Sequence, residues 1–260
     1  MPSVAKPTEV AVASLFVCFS LFFASKVNLP GPHFKSLALL FSILASSILL
    51  VMLRWPMREK IVLPLAFFVP MVDRLIYVGS IRHQIFEDAA LYLGLPLAVL
   101  FLSFHVRPSE VGISLGRRCE TFKMVALLGC GAIAMSFIGL AFPSMTRYYP
   151  LWASGPVDFP EFLYNEAMIA VLMFCGEFFF RGAILFSLSR RSFWGAVVFQ
   201  ALPYALLHLG KPPVEVPYSL VAGLIFGWAD LRSRSILPSW IAHAGGSALF
   251  DLLVLSTGLS

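Results

Sequence analysis

Long apolar runs recur along most of the sequence, and they constrain the fold more than any other feature. A helix that crosses the hydrocarbon core of a bilayer needs about 20 such residues. Because a helix satisfies its backbone hydrogen bonds internally, it is the structure that such runs adopt in lipid. We therefore predict an all-α, polytopic transmembrane helix bundle with about eight to nine spanning helices. The candidate spans are 9–25, 36–53, 61–79, 85–106, 122–142, 161–186, 192–209, 216–231 and 236–256.

The composition excludes a soluble domain of this length. Hydrophobic residues make up 59% of the chain and charged residues only 13%, whereas about 25% of a typical soluble domain is charged. The span 61–79 is the weakest candidate, because Asp73 and Arg74 lie inside it. Charged side chains within a span usually face the bundle interior or extend to the interface.

Lysine and arginine residues outside the predicted spans are divided unevenly between the two sides of the membrane. Most of them fall on the side of the N-terminus, including Arg107, Arg117 and Arg118 in one loop. Since loops rich in these residues stay in the cytoplasm, we expect the N-terminus inside and the C-terminus outside. The net charge of +5 follows from this bias, so no nucleic-acid partner is expected.

Polar residues within spans concentrate in the second half of the chain. We therefore divide it into N-terminal transmembrane helices that mainly pack, 1–158, and a functional core, 159–260. Glu177 and Arg181 stand four residues apart, which places them on one face of one helix. A charged pair that neutralises itself is less costly in hydrocarbon than an isolated charge. On its own, this pair is explained as an ion pair that makes insertion tolerable.

Two more polar faces follow on later predicted spans, and each carries a histidine. Three consecutive polar faces are hard to explain as lipid-facing surface, because ionisable groups within spans normally face the interior of the bundle. We therefore expect the three faces to meet there. The two histidine faces are Gln200, Tyr204 and His208, and His243, Ser247 and Asp251.

These residue types favour amide hydrolysis. A carboxylate and an imidazole can take a proton from water and give it to a leaving amine. A second histidine with a neighbouring hydroxyl can donate hydrogen bonds to a developing oxyanion. Glu177, His208 and His243 could instead ligate a divalent metal such as zinc. Because Arg181 competes for the same carboxylate, we expect no metal and no cofactor.

At these residues the sequence resembles the CPBP family, the CAAX-protease and bacteriocin-processing membrane proteins also called Abi or Rce1-like. That family carries E-E-x-x-x-R, then F-x-x-x-H, then H-x-x-x-N or H-x-x-x-D on successive helices. The resemblance covers roughly residues 160–256. The corresponding motifs here are Gly176-Glu177-x-x-x-Arg181, Tyr204-x-x-x-His208 and His243-x-x-x-Ser247.

The resemblance also implies roles for individual residues. Gly176 stands where the family has the glutamate that is usually assigned as the water-activating base, so Glu177 or His208 must activate water here. Ser247 replaces an Asn or Asp that helps to hold the oxyanion, and its hydroxyl can still donate a hydrogen bond. The catalytic residues expected from the resemblance are Glu177, Arg181, His208, His243 and Ser247.

We expect an intramembrane glutamic-type endopeptidase, similar to CAAX prenyl protease 2, that hydrolyses a peptide bond in a membrane-anchored peptide or protein. The resemblance implies an integral protein of a bacterial inner membrane, with the lipid bilayer and the substrate as its partners. The alternative is a catalytically silent CPBP-like scaffold or immunity protein that binds a membrane partner. A transporter or channel is less favoured, because the sequence has no inverted repeat and its polar residues cluster in one half.

Overall fold

The computed structural model describes residues 56–76, 81–153, 155–208 and 210–258. Every regular element in these ranges is a helix, which confirms the predicted fold class. The predicted spans 9–25 and 36–53 lie outside the described residues. The helices are α1 (Met57–Ile76), α2 (81–103), α3 (Arg118–Gly139), α4 (Pro143–Thr146), α5 (Phe159–Ser189), α6 (Phe193–Leu206), α7 (Glu215–Ser233) and α8 (Leu237–Thr257).

Among the described helices, three are long and apolar enough to cross a membrane: His83–Ser103 within α2, the whole of α3, and α5. Helix α3 exposes large apolar side chains such as Phe122 and Phe137, which is the pattern that lipid contact requires. The chain is an integral membrane protein. Helices α7 and α8 contain the buried carboxylates Asp230 and Asp251, which lower their hydropathy. The count of eight to nine spans therefore stays a prediction.

The middle of α5 lies at the centre of the first hydrophobic core. From Phe178 to Leu185 the helix is wound as a π-helix, and all of these residues are buried. Such segments are rare and occur mostly at functional sites, and this one directly follows Glu177. The core residues around it come from α1, α2 and α6, and they include Val62, Leu63, Tyr92, Leu100 and Phe199.

A second hydrophobic core lies between α3, α7 and α8. Its buried members are Met124, Leu128, Ala222, Phe226, Ala229 and Ala242. The Ser136 hydroxyl of α3 also donates to the Gly246 carbonyl of α8 at 3.1 Å. Helix α3 belongs to the N-terminal half, which we expected mainly to pack, and it packs against α8, the last helix of the functional core 159–260.

The loop between α2 and α3 is fastened to the turn between α7 and α8. The backbone N–H of Arg117 donates to the Ser233 carbonyl at 2.7 Å. Gly116 has a φ of +52°, and a Cβ there would collide with the backbone of Ser233 and Arg234. Glycine fits because it has no Cβ and tolerates a positive φ. This contact fixes where α8 begins, and α8 carries His243.

Candidate active site

Helices α5 and α8 are aligned by an aromatic contact one turn before His243. The Trp240 indole Nε1 donates to the Ala170 carbonyl at 2.9 Å. The same indole meets the Phe174 ring edge to face, with ring centroids 5.3 Å apart. Because Trp240 and His243 are three residues apart, they lie on neighbouring positions of one helix face. The contact therefore turns His243 towards the second half of α5.

Glu177 and His243 form a hydrogen bond between these two helices. The His243 Nδ1 donates to Glu177 Oε1 at 2.8 Å. The Glu177 side chain is only 1% exposed, whereas 27% of the His243 side chain is exposed. A hydrogen bond to one ring nitrogen sets the role of the other. The bond therefore fixes the orientation of the imidazole and leaves Nε2 without a bond to Glu177.

Arg181 holds the second oxygen of the same carboxylate. Its Nε lies 3.0 Å from Glu177 Oε2, and both side chains are buried. The guanidinium carbon lies 4.1 Å from the centroid of the Tyr204 ring and 5.7 Å from that of Phe226. A cation over an aromatic face is attracted by the ring electrons, most strongly when it is desolvated. Arg181 is thus neutralised by Glu177 and covered by two aromatic rings.

Asp230 supports this arrangement from α7. It is fully buried, and its carboxylate accepts hydrogen bonds from the Ser239 hydroxyl at 2.6 Å and from the Ser239 backbone N–H at 3.2 Å. Ser239 lies in the first turn of α8, where backbone N–H groups have no partner within the helix. Asp230 therefore caps α8 from the neighbouring helix and fixes the turn that precedes His243.

His208 lies just beyond the end of α6, beside the Tyr204 ring. Its Nδ1 donates to the Tyr204 carbonyl at 2.9 Å, so in the neutral imidazole Nε2 carries the free lone pair. The Tyr204 ring lies 5.0 Å from the His208 ring and 6.1 Å from the His243 ring, measured between centroids. Tyr204 therefore stands between the two histidines and contacts both.

A carboxylate from α7 faces His208. Glu215 Oε1 lies 3.8 Å from His208 Nε2 and 3.3 Å from the Lys211 ammonium. The same oxygen accepts a hydrogen bond of 2.8 Å from the Tyr149 hydroxyl. Burial, and then the nearby Glu215 charge, raise the pKa of Tyr149 above its usual range, so the phenol stays a donor. Glu215 is thus held from two sides next to the histidine.

Comparison with known families bears directly on these helices. Residues 160–249 match the family model described as type II CAAX prenyl endopeptidase Rce1-like. This segment is Rce1-like. The resemblance found in the three motifs is thereby confirmed, and the match supports a membrane protease of the CPBP family. No curated protein and no solved structure matches the chain.

The Rce1-like segment contains every site residue predicted from sequence, and the structure joins some of them directly. Glu177, Arg181 and His243 are in contact, and His208 is connected to them through the Tyr204 ring. No direct contact joins His208 to Glu177 among the described residues. The catalytic roles of all the site residues predicted from sequence stay predictions.

The remaining polar positions of α8 separate into two environments. Ser247 is half-buried one turn after His243. Asp251 is buried and pairs with the Glu166 carboxyl of α5, which in turn accepts a hydrogen bond from the Trp152 indole at 3.1 Å. We predicted that the face shared by His243, Ser247 and Asp251 would meet the other two polar faces. Asp251 instead belongs to a carboxyl pair with Glu166.

Three residues of this site were missed from sequence. Asp230 and Glu215 lie near the two ends of α7, where polar residues are common, and Tyr149 lies in a loop of the first half. The only available signal was the position of Glu215 at the start of the helix after the His208 turn. Acidic residues are common in the first turn of any helix, so this signal was weak.

The described residues contain no group of three or more His, Cys, Asp or Glu side chains arranged to hold a metal ion. The alternative ligand set of Glu177, His208 and His243 is therefore not assembled in this structure. Both oxygens of Glu177 already have nitrogen partners from His243 and Arg181. The absence of a cofactor stays a prediction.

Proposed function

We propose that the chain is an intramembrane glutamic-type endopeptidase that hydrolyses a peptide bond in a membrane-anchored peptide or protein. The observation that carries this proposal is the Glu177–His243 hydrogen bond, which joins two helices of the Rce1-like segment. A structural ion pair needs only Glu177 and Arg181. The carboxylate is also bonded to a partly exposed histidine, which is an arrangement that enzymes use to orient an imidazole.

His208 is the group that we assign to proton transfer. Its Nδ1 is occupied by the Tyr204 carbonyl, so Nε2 can accept a proton from water. The water oxygen then attacks the carbonyl carbon of the scissile bond. As the C–N bond breaks, the proton passes from Nε2 to the leaving amine, which yields a carboxylic acid and an amine.

His243 is the group that we assign to the oxyanion. With Nδ1–H bonded to the Glu177 carboxylate, His243 carries a hydrogen on Nε2 only as the imidazolium, and in that form Nε2–H can donate to the negative oxygen of the tetrahedral intermediate. The neighbouring Ser247 hydroxyl supplies a second donor. Glu177 acts by orienting and charging the histidine, since its own oxygens contact His243 and Arg181. No step in this scheme needs a metal.

The setting of the reaction follows from the same proposal. We place the chain in a bacterial inner membrane with its N-terminus in the cytoplasm, because the Lys and Arg residues outside the spans favour that orientation. The partners are the bilayer and a peptide or protein anchored in it, since Glu177 and Arg181 lie on α5, a helix that is itself long and apolar enough to span a membrane.

The test is a comparison of peptide termini, here called the terminus assay. Purified chain in lipid vesicles is mixed with membranes of cells that lack it, and newly formed peptide termini are labelled and identified by mass spectrometry. The wild type should generate a small set of new termini. His208→Ala should lower their rate of formation by about 10²-fold or more, because it removes the proton acceptor.

A silent scaffold would give a different result. It would form no new termini, and His208→Ala would change nothing in the assay while the protein still accumulated. Gly176 favours this alternative, since a glycine has no group that can activate water. Binding of a membrane partner without cleavage would then be the function to pursue.

A further inference from the structure

The position at which the family resemblance predicts a carboxylate carries none. Gly176 has no side chain, and a Cβ built there would meet no atom within 4 Å. Glu177, the next residue, has one oxygen 2.8 Å from His243 Nδ1 and the other 3.0 Å from Arg181 Nε. Gly176 therefore offers no carboxylate oxygen, and Glu177 Oε2, although it accepts no hydrogen bond, lies against the buried Arg181 cation.

Glu215 has a carboxylate oxygen that a water could bond to. Its Oε1 contacts Tyr149, Lys211 and His208, but its Oε2 is buried and has no hydrogen-bond partner among the described residues. An ionised carboxylate oxygen that is buried without a partner is costly. Such a group in a native site calls for a ligand or a catalytic role.

We propose that Glu215 is a catalytic residue of this peptidase and that it holds the attacking water together with His208. The inference rests on the proposed function, since it assigns a residue to the same hydrolysis. The 3.8 Å between His208 Nε2 and Glu215 Oε1 is too long for a direct hydrogen bond. A single water can bridge polar atoms that are this far apart.

The attacking water bonds to both side chains and gives up one proton. The water donates one hydrogen to His208 Nε2 and the other to Glu215 Oε2, which directs an oxygen lone pair at the carbonyl carbon. As the C–O bond forms, one proton moves to Nε2, and the Glu215 carboxylate stabilises the imidazolium. When the C–N bond breaks, that proton goes to the amine nitrogen. No oxidant, metal or further reactant is used.

A purely structural role for Glu215 makes a different prediction. Glu215 is the acidic residue in the first turn of α7, where any carboxylate favours the positive end of the helix. Glu161 occupies the equivalent position in the first turn of α5 and is exposed. Glu161→Gln is therefore a matched control, because it removes the same charge from the same kind of position away from His208.

The experiment measures initial rates in the terminus assay, together with the melting temperature, for both variants and for His208→Ala. Glu215→Gln should lower the rate by about 10²-fold and leave the melting temperature close to that of the wild type. The amide keeps the shape of the side chain and an oxygen that can accept from Tyr149. Glu161→Gln should keep the wild-type rate.

The outcomes separate this inference from the proposed function. If His208→Ala loses activity while Glu215→Gln stays within about twofold of wild type, the inference is overturned and the proposed function stands. An equal loss in Glu161→Gln also overturns it. If the wild type forms no new termini, both this inference and the proposed function are overturned.

A second variant decides the matter if Glu215→Gln does not accumulate. Lys211→Met removes the ion pair at 3.3 Å and leaves the carboxylate in place. A rate above about one tenth of wild type supports the catalytic role, because the carboxylate is still present. A loss as large as that of His208→Ala overturns it, since the ion pair alone would then account for the effect.

Discussion

Two carboxylate–histidine pairs of the Rce1-like segment differ in how their carboxylates are used. In the Glu177–His243 pair, the atoms are 2.8 Å apart and both carboxylate oxygens have nitrogen partners. In the His208–Glu215 pair, the closest atoms are 3.8 Å apart and one carboxylate oxygen has no described partner. The first pair is called saturated here because each Glu177 oxygen lies against a nitrogen, although Oε2 accepts no hydrogen bond, whereas Glu215 Oε2 has no described partner of either kind.

The surroundings of each pair explain this difference. Glu177 and His243 lie on α5 and α8, which are held together by Trp240, and the cap from Asp230 ties α8 to α7. His208 and Glu215 flank the turn between α6 and α7, next to a loop residue from the first half, Tyr149. The first pair thus lies on long packed helices, whereas the second lies beside a turn. We propose that His208 and Glu215 react with the water and that Glu177 positions His243.

The largest effect on the saturated pair is expected from Arg181→Ala. This change leaves Glu177 as a buried carboxylate without its cation, which costs about 3–5 kcal/mol of folding free energy. Activity in the terminus assay should fall with it. Thermal unfolding in detergent measures the loss.

Arg190→Ala is the matched control, because Arg190 pairs with Glu110 at 3.0 Å while both side chains are about half exposed (47% and 40%). An exposed pair contributes only about 0–1 kcal/mol. If Arg181→Ala were no more destabilising than Arg190→Ala, the Glu177–His243 pair would not depend on its buried cation, and the contrast between the two pairs would lose its basis.

A smaller effect is expected from Ser247→Ala. His243→Ala should lower the rate by about 10²-fold or more, because we assign the oxyanion to this histidine. Ser247 is a single half-buried hydroxyl, so its loss should cost only a few-fold, on the order of one neutral hydrogen bond. Initial rates of both variants, normalised to folded protein, test this order. The reverse order would move the oxyanion role from His243 to Ser247.

The fold class and the saturated pair were accessible from sequence for a physical reason. Apolar runs predict membrane helices because lipid leaves the backbone few alternatives. The spacing of Glu177 and Arg181 predicts their contact because residues four apart on a helix are neighbours, and the structure confirms the pair at 3.0 Å. Both predictions rest on patterns within single helices, which are visible in the sequence.

The second pair depends on how distant segments pack, which periodicity does not encode. Glu215 contacts Tyr149, which comes 66 residues earlier in a loop. The close packing of α6 on α7 also depends on Gly227, where a Cβ would lie 2.6 Å from the Gln200 amide nitrogen. Asp230 caps α8 from another helix, so no N-cap residue in the α8 sequence could reveal it.

The rate of Glu177→Gln in the terminus assay, measured with matched amounts of folded protein, tests the central claim most directly. Glutamine keeps the shape of the side chain but removes the charge that orients His243 and balances Arg181. If the site hydrolyses peptide bonds as proposed, the rate should fall by about 10²-fold or more. A variant that accumulates normally and forms the same termini at the wild-type rate would contradict the account.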